Sequence, residues 1–401
     1  MRFLTFILFS LVSLTAAAQA DFQKKLQRQL IMAEDGATIT IEAGTYTISG
    51  SLSLEGKKNI VIRGAGMDKT ILSFKGQTDG AEGLRVSNAE HIVLENLTVQ
   101  DAKGDAIKTM NVNGITFKNL KAEWTGEPKS TNGAYGLYPV MCQNVLIEGC
   151  IAIGASDAGI YVGQSKNIIV RNSKAYHNVA GIEIENSLIA DVYDNESTEN
   201  TGGILVFDLP DLVQKKGGNV RVYNNNIHHN NFPNFAPKGN IVAGVQQGTG
   251  VMILATNQVE IFNNKIIGNN SIGTSIISFL MTERPIKDKE YYPYPTGIYI
   301  HDNVYERDRV RYQGQGRMGQ LFKYKLRFGK KVPHIIYDGI VDSKTLENGQ
   351  VKPESRICVR NNQNGSFVNL DAANNFKNVS RDASAFDCTH SALKQAVVSM
   401  K

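Results

Sequence analysis

Five side chains capable of chemistry recur at one place in a repeated phrase. The phrase is Gly-aliphatic-x-aliphatic, and x is Arg85, then Lys108 in the variant Ala106-Ile107-Lys108-Thr109, then Tyr138, Tyr161 and Glu183, before Leu205 and Met252. In a β-strand the aliphatic neighbours face one way and x the other. If such strands stack, with rungs about 4.8 Å apart, the x residues form an outward ladder. A linear polymer lying along that ladder touches several rungs at once. Arg85 or Lys108 can pair a uronate carboxylate, and Tyr138 or Tyr161 can stack on a sugar ring. Asp105 and Asp157 precede their strands and lean over the same ladder. Proton abstraction beside a neutralised carboxylate is the chemistry shared by β-elimination and C5-epimerisation. Lys108 is the candidate base, and Tyr138 or Tyr161 the proton carrier on the opposite face. Hydrolysis instead needs two carboxyl groups at a set separation, for which Asp157 and Glu183 on adjacent rungs are the pair; it ranks below lyase or epimerase chemistry. A solvated strand face carrying mixed polar residues is the plain alternative.

The elements that must hold this ladder follow from its period. The phrase returns about every 22 to 23 residues, for example at Gly159, Gly181 and Gly203. A unit this short cannot bury its own apolar face, so copies must stack as a solenoid. A second series tracks the first as alternating apolar residues closed by Asn, as in Ile92-Val93-Leu94-Glu95-Asn96 and Ile168-Ile169-Val170-Arg171-Asn172. Two period-2 strands and a weaker third make one coil of an all-β, single-stranded parallel β-helix. No apolar period near 3.6 argues for a helical solenoid. The Asn series, Asn96, Asn119, Asn172, Asn195, Asn224 and Asn263, is expected to form one stacked column. Asn tolerates a left-handed turn, and its amide can bond the Asn one rung away.

Residues 1–20 read as a secretory signal cleaved after Ala20, with Arg2, an apolar stretch from Phe3 to Leu14 and Ala18-Gln19-Ala20. No later apolar run is long enough to span a bilayer, so a periplasmic or secreted location is expected. Residues 21–401 then form one domain. A cap helix is expected over 22–34 with Leu26, Leu30 and Ile31 on its inner side, regular coils over 35–305, and irregular coils and tail over 306–401. Interruptions fall at 124–132, 209–248 and 281–296, and loops leaving a rigid coil are where binding groups sit. The last contains Tyr291, Tyr292 and Tyr294, which with His301 beside them join Arg85 and Asp105 as substrate-binding candidates. Two local disulfides, Cys142–Cys150 and Cys358–Cys388, are the simplest pairing in an oxidising compartment.

The net charge of +5 is unevenly placed. Between Glu306 and Lys331 lie nine Lys and Arg residues, Arg309 and Arg311 among them, against two acids. That excess favours an anionic partner, and export makes an acidic polysaccharide a better candidate than nucleic acid. A solvated basic edge is the plain reading of the same segment. His177 and His229 stand two rungs apart with Glu199 between them. About 9.6 Å is too far for both to bind one metal ion. No metal or cofactor is expected; calcium is compatible with the chemistry but no motif points to it.

The residues Gly44-Thr45-Tyr46 and Gly64-Ala65-Gly66-Met67 and the coils after them resemble exported right-handed parallel β-helix repeat proteins of bacteria. Ser156-Asp157-Ala158-Gly159-Ile160-Tyr161-Val162-Gly163, Ala180-Gly181-Ile182-Glu183-Ile184-Glu185-Asn186 and Gly202-Gly203-Ile204-Leu205-Val206-Phe207-Asp208 resemble one uncharacterised subfamily of that class. The wider class includes pectate and alginate lyases, mannuronan C5-epimerases and periplasmic copper-site maturation factors. The resemblance therefore implies the right-handed form of the coil. The epimerases' Asp-Pro-His-Asp phrase is absent, with only His301-Asp302 as a fragment of it. The subfamily's association with an exported c-type cytochrome implies a periplasmic protein partner. The sequence thus supports recognition of an acidic polysaccharide, with lyase or epimerase activity as the catalytic form. The alternative is a non-catalytic periplasmic scaffold docking a redox or maturation partner through residues 281–331.

Overall fold

In the computed structural model, which describes residues 21–399, the chain winds as a parallel β-helix. The expected signal over residues 1–20 lies outside the described residues. Among those described, the strands form three parallel sheets of 11, 10 and 11 strands, here sheets A, B and C, and one two-stranded antiparallel pair. Each regular coil gives one strand to each sheet in that order. One coil, for example, consists of Lys166–Arg171, Lys174–Tyr176 and Ala180–Glu185. No helix among the described residues is long and apolar enough to cross a membrane.

The core is the inside of the coil, filled by the aliphatics that flank each x position: Ile160, Ile182, Ile204 and Val251 stack without solvent exposure. The repeated glycine has a steric cause at the corner entering sheet C. A Cβ on Gly203 would lie 2.5 Å from the backbone oxygen of Gly250, and one on Gly136 2.4 Å from that of Gly159. Any side chain there would push the rungs apart and break the ladder that defines the coil.

The asparagines form two kinds of column where one was expected. Asn96, Asn119, Asn172, Asn224 and Asn263 adopt left-handed backbone at the end of sheet A strands. Within this column Asn119 donates to Asn96 at 3.3 Å, as expected, but the continuous hydrogen-bonded ladder runs one residue later, through Asn195, Asn225, Asn264, Asn303 and Asn362. Each amide there donates to the next side-chain oxygen at 2.9–3.0 Å. Asn195 therefore belongs to the second column, because its neighbour Asp194 takes the left-handed turn. A further ladder, Asn178, Asn200, Asn230 and Asn269, closes the corner between sheets B and C.

The chain differs from expectation at three other places. The cap helix covers residues 21–32; Leu26 and Leu30 are buried, but Ile31 is exposed, since residues one apart on a helix point about 100° from each other. Residues 209–248 are not one interruption, for they contain the sheet A strand Gly218–Tyr223 and the sheet B strand Asn226–His228, flanked by two separate excursions. Cys358 and Cys388 form a disulfide, whereas Cys142 and Cys150 are free and buried. The latter two occupy opposite ends of the strand Gln143–Glu148; an extended run of that length separates them by roughly 20 Å or more, far beyond disulfide reach.

Candidate functional site on the outer face of sheet C

The x residues do stack in register on the outer face of sheet C. Arg85 pairs with Lys108, Lys108 with Tyr138, Tyr161 with Glu183, and Glu183 with Leu205. The Leu137–Ile160 pair places Tyr138 beside Tyr161. Their environments differ sharply, however. Ser53, Arg85, Lys108 and Tyr138 reach solvent, whereas Tyr161, Glu183 and Leu205 are buried. The covering material comes from excursions between coils. Phe235, Val242, Val245, Phe279 and Tyr291 pack over Ala158, Tyr161, Leu205 and Phe207 as a second apolar cluster outside the coil. The ladder is thus an open groove for its first rungs and a second core for the rest.

At the junction sits a tyrosine cluster. The Tyr135 ring lies 4.4 Å from both Tyr138 and Tyr161, and Tyr138 lies 5.0 Å from Tyr161. On the open side, the Lys108 ammonium stands over the Tyr138 ring at 4.8 Å and pairs with Glu82 at 3.6 Å and Asp105 at 3.4 Å. Burial raises the Asp105 carboxyl, with Lys108 opposing it. On the covered side lie three carboxyl groups, Asp157, Glu183 and Glu185, all on the outward face. Tyr135 and Asn240 each donate to Asp157 Oδ2 at 3.5 Å, and the Tyr161 hydroxyl donates to Glu185 Oε1 at 2.6 Å.

Burial dominates the titration of this cluster. It pushes Asp157 up to about 7, with the neighbouring Glu185 adding to the shift, and Glu185 to about 7 against the opposing Tyr161 hydrogen bond. Glu183 is raised well above the usual carboxylate range by burial, then by Asp157 and Glu185. Asp157 Oδ1 and Glu183 Oε2 have no hydrogen-bond partner among the described residues. Three like-charged groups in a dry site cannot all ionise together, so protons are held there at neutral pH. Groups that keep a proton near neutrality are suited to proton transfer. Burial also raises Tyr138, keeping its hydroxyl protonated.

Glu185 and Tyr135 were missed by sequence reasoning. Glu185 was legible, since it stands two residues after Glu183 in Ile182-Glu183-Ile184-Glu185 and alternation sends both outward. Tyr135 precedes the repeated phrase and carried no such signal.

The other candidates do not join the groove. Tyr291 donates its hydroxyl to the Asp208 backbone oxygen at 2.6 Å and packs edge-on against Phe279, within the cover. Tyr292 and Tyr294 lie against each other, and Tyr292 approaches Asp342 at a cavity of about 500 Å³ near the C-terminal coils. His301 lies on sheet A, stacked on Phe262 and bonded to Glu260 and Asp302; burial opposes its charged form, but these two carboxylates outweigh it and raise the pKa. Arg309 and Arg311 are exposed ahead of the strand Ile335–Tyr337, whose rung is seven steps, roughly 34 Å, from Lys108. Their common failing is that sequence proximity to an insertion says nothing about which sheet face the insertion covers. Among the described residues no group of three or more His, Cys, Asp or Glu side chains is placed to hold a metal ion.

The fold has known counterparts. A family model described as "Right handed beta helix region" matches residues 59–214. No curated relative matches the sequence. Among solved structures, the chain is similar to the A-module of the mannuronan C-5 epimerase AlgE6 of Azotobacter vinelandii, with 13% identity over 86% of this chain and 91% of that one and a TM-score of 0.50. The AlgE4 A-module of the same organism gives 15% identity over 86% and 90%, with a TM-score of 0.48. An alginate lyase from Paenibacillus sp. gives 13% over 71% and 95%, with a TM-score of 0.43. At such identities the likeness is one of fold. With three parallel sheets winding as one coil and a family model matched to residues 59–214, the fold of the chain is a right-handed parallel β-helix.

Proposed function

We propose that this protein is exported, binds an acidic polysaccharide along the open rungs of sheet C, and performs acid–base chemistry on a bound uronate at Asp157. The observation that carries this reading is the junction itself: two cations, Arg85 and Lys108, lead to a buried carboxyl whose pKa lies near neutrality. Arg85 and Lys108 pair the uronate carboxylates, and Lys108, already held between Glu82 and Asp105, serves as this charge partner and not as the base. The ionised form of Asp157 takes the proton on C5 of the sugar, and the developing charge spreads into the carboxylate that Lys108 faces. Tyr138, kept protonated, then supplies a proton. Delivered to the departing C4 oxygen as the C4–O bond breaks, it completes β-elimination; delivered to the opposite face of C5, it completes epimerisation.

The test is incubation with alginate, pectate and other uronate polymers, with and without calcium. Unsaturated product is read by absorbance and C5 inversion by NMR. Asp157→Asn is expected to lower turnover by roughly 10²–10⁴-fold with polymer binding retained, whereas Lys108→Ala weakens binding. Full turnover by both variants refutes the assignment. A second reading, a periplasmic scaffold docking a protein such as a c-type cytochrome, is favoured by Val213 and Leu280, apolar side chains that the excursions around sheet C hold exposed. Absence of both binding and turnover on every polymer supports it over the first.

A further inference from the structure

The outer face of sheet C is open only at one end of the molecule. From Ser53 to Tyr138 its rungs reach solvent, Tyr161, Glu183 and Leu205 are buried, and Met252 on the next rung is half-buried against the same cover. The boundary is a built wall. Asn240 at its tip reaches Asp157 Oδ2 at 3.5 Å, and Arg284 from the neighbouring excursion donates to the Asn240 backbone oxygen at 2.8 Å. Behind the tip, Asn234 donates to the backbone oxygens of Val242 and Val245, both at 2.9 Å, fixing the loop's shape. Val245 in turn closes on the first residue of the covered strand Gly202–Phe207: a Cβ on Gly202 would lie 2.9 Å from its Cγ1. Further along, Tyr312 and Phe322 belong to another apolar cluster that covers the last rungs, and the Tyr312 hydroxyl bonds Gln246 of the first wall at 3.2 Å. No rung from Tyr161 to Leu205 offers a surface on which a polymer could continue.

We infer that the groove receives the end of a polysaccharide chain and is closed to a chain that continues past it, with Asn240 and Arg284 as the residues that set this limit. The inference rests on the polysaccharide reading above and adds its mode: the protein acts from chain ends. A polymer lying along the coil axis over Arg85 and Lys108 meets the wall at Tyr138, so its terminal sugar is the one beside Asp157. Burial of the reacting carboxyls and selection for an end thus have one structural cause, the loop that covers the ladder. A chain that crossed the groove perpendicular to the axis would escape the limit, and that is the arrangement the experiment must separate.

Binding is measured on one uronate polymer at constant mass, cut beforehand to progressively shorter mean lengths, so that only the number of chain ends changes. The expected result is binding capacity that rises in proportion to chain ends, with binding lost when a bulky label blocks the terminus that enters. Products are expected to be the shortest units from the outset, with the polymer's viscosity falling late. Capacity that follows mass alone, or mid-chain cleavage with early loss of viscosity, overturns end selection while leaving the polysaccharide reading intact. Failure to bind any polymer overturns both. Asn240→Ala combined with Arg284→Ala, checked for an unchanged melting transition, is expected to shift products toward mid-chain cuts; the measurements on the natural protein stand without this variant.

Discussion

Tyr161 and Glu185 meet because Gly163 leaves room for them. Gly163 occupies the outward position in register with Glu185, and a Cβ there would lie 2.3 Å from the Tyr161 hydroxyl. The ring therefore lies along the sheet and its hydroxyl reaches the carboxylate of the next rung instead of pointing to solvent. A hydrogen bond to a charged or partly charged group in a buried site is worth about 1.5–3 kcal/mol. Tyr161→Phe is expected to destabilise the protein by about that amount and to raise the Glu185 pKa further, because the Tyr161 hydroxyl is the group holding it down. Denaturant unfolding reads the first effect, and the carboxyl carbon shift of labelled Glu185 against pH reads the second. An unchanged Glu185 titration would show that this bond does not form. Alternation along the strand made the outward direction of Tyr161 and Glu183 legible, but the hydroxyl's partner depended on a glycine whose role appears only when rungs are superposed.

At the scale of elements, the two asparagine columns carry different loads. Asn264 donates to Asn303, Val222 and Phe262 and accepts from the backbone and side chain of Asn225, all within 3.0 Å. Asn263 beside it supplies a left-handed corner, φ 54°. Removing the first orphans several buried groups at roughly 1–3 kcal/mol each, whereas alanine at the second meets a backbone penalty of about 1–2 kcal/mol. Asn264→Ala is expected to cost at least about 3 kcal/mol and clearly more than Asn263→Ala in urea unfolding; the reverse order would show that corner geometry outweighs the ladder. A second element-level feature is the tail. Its residues after Cys388 run over sheet A, where Lys394 exchanges hydrogen bonds with Asn219 and Leu393 donates to Glu260. His390 adds a hydrogen bond to the Arg356 backbone oxygen and Ala396 one to Asp191, while the Cys358–Cys388 bond ties the start of the segment covalently to sheet A. Reduction is expected to make residues 388–399 susceptible to limited proteolysis while the coil resists, and equal resistance with and without reductant would count against this.

The whole molecule carries carboxyl groups whose native pKa is raised by burial. Asp157, Glu185 and Asp208 lie at about 7 and Asp338 at about 6, against ordinary values of 3.8 for Asp and 4.5 for Glu. The folded state therefore binds more protons than the unfolded state between pH 4 and 7, on the order of the interval between these values, and its stability falls as pH rises through that window. Below it both states are protonated and the contribution is fully present; above it the contribution is gone. The melting temperature is expected to be several degrees higher at pH 5 than at pH 8, and Glu185→Gln is expected to flatten the decline. A melting temperature that climbs over this range would refute it. A depressed carboxyl such as Asp382 acts in the opposite sense, but it is solvent-exposed and weakly coupled to folding.

The sequence by itself determined the coil. The period of the glycine phrase, the alternation of aliphatics around x and the asparagines at the corners all report contacts between a residue and its counterpart about 22 places on, so one dimension of sequence suffices to read them. Arg85, Lys108, Tyr138, Tyr161 and Glu183 could be placed on one outward ladder for the same reason. Only the tertiary structure decided which rungs are open. The excursions after residues 208, 229 and 279 obey no repeat, and their Phe, Val and Tyr side chains can cover whichever sheet face lies within reach of the loop. Solvent access, and with it the pKa values of Asp157 and Glu185 and the length of the groove, follows from those non-periodic contacts. The same holds for His301, Arg309 and the cysteines: their order along the chain was plain, but the sheet face or corner each occupies is set by where the coil has turned when the chain reaches it.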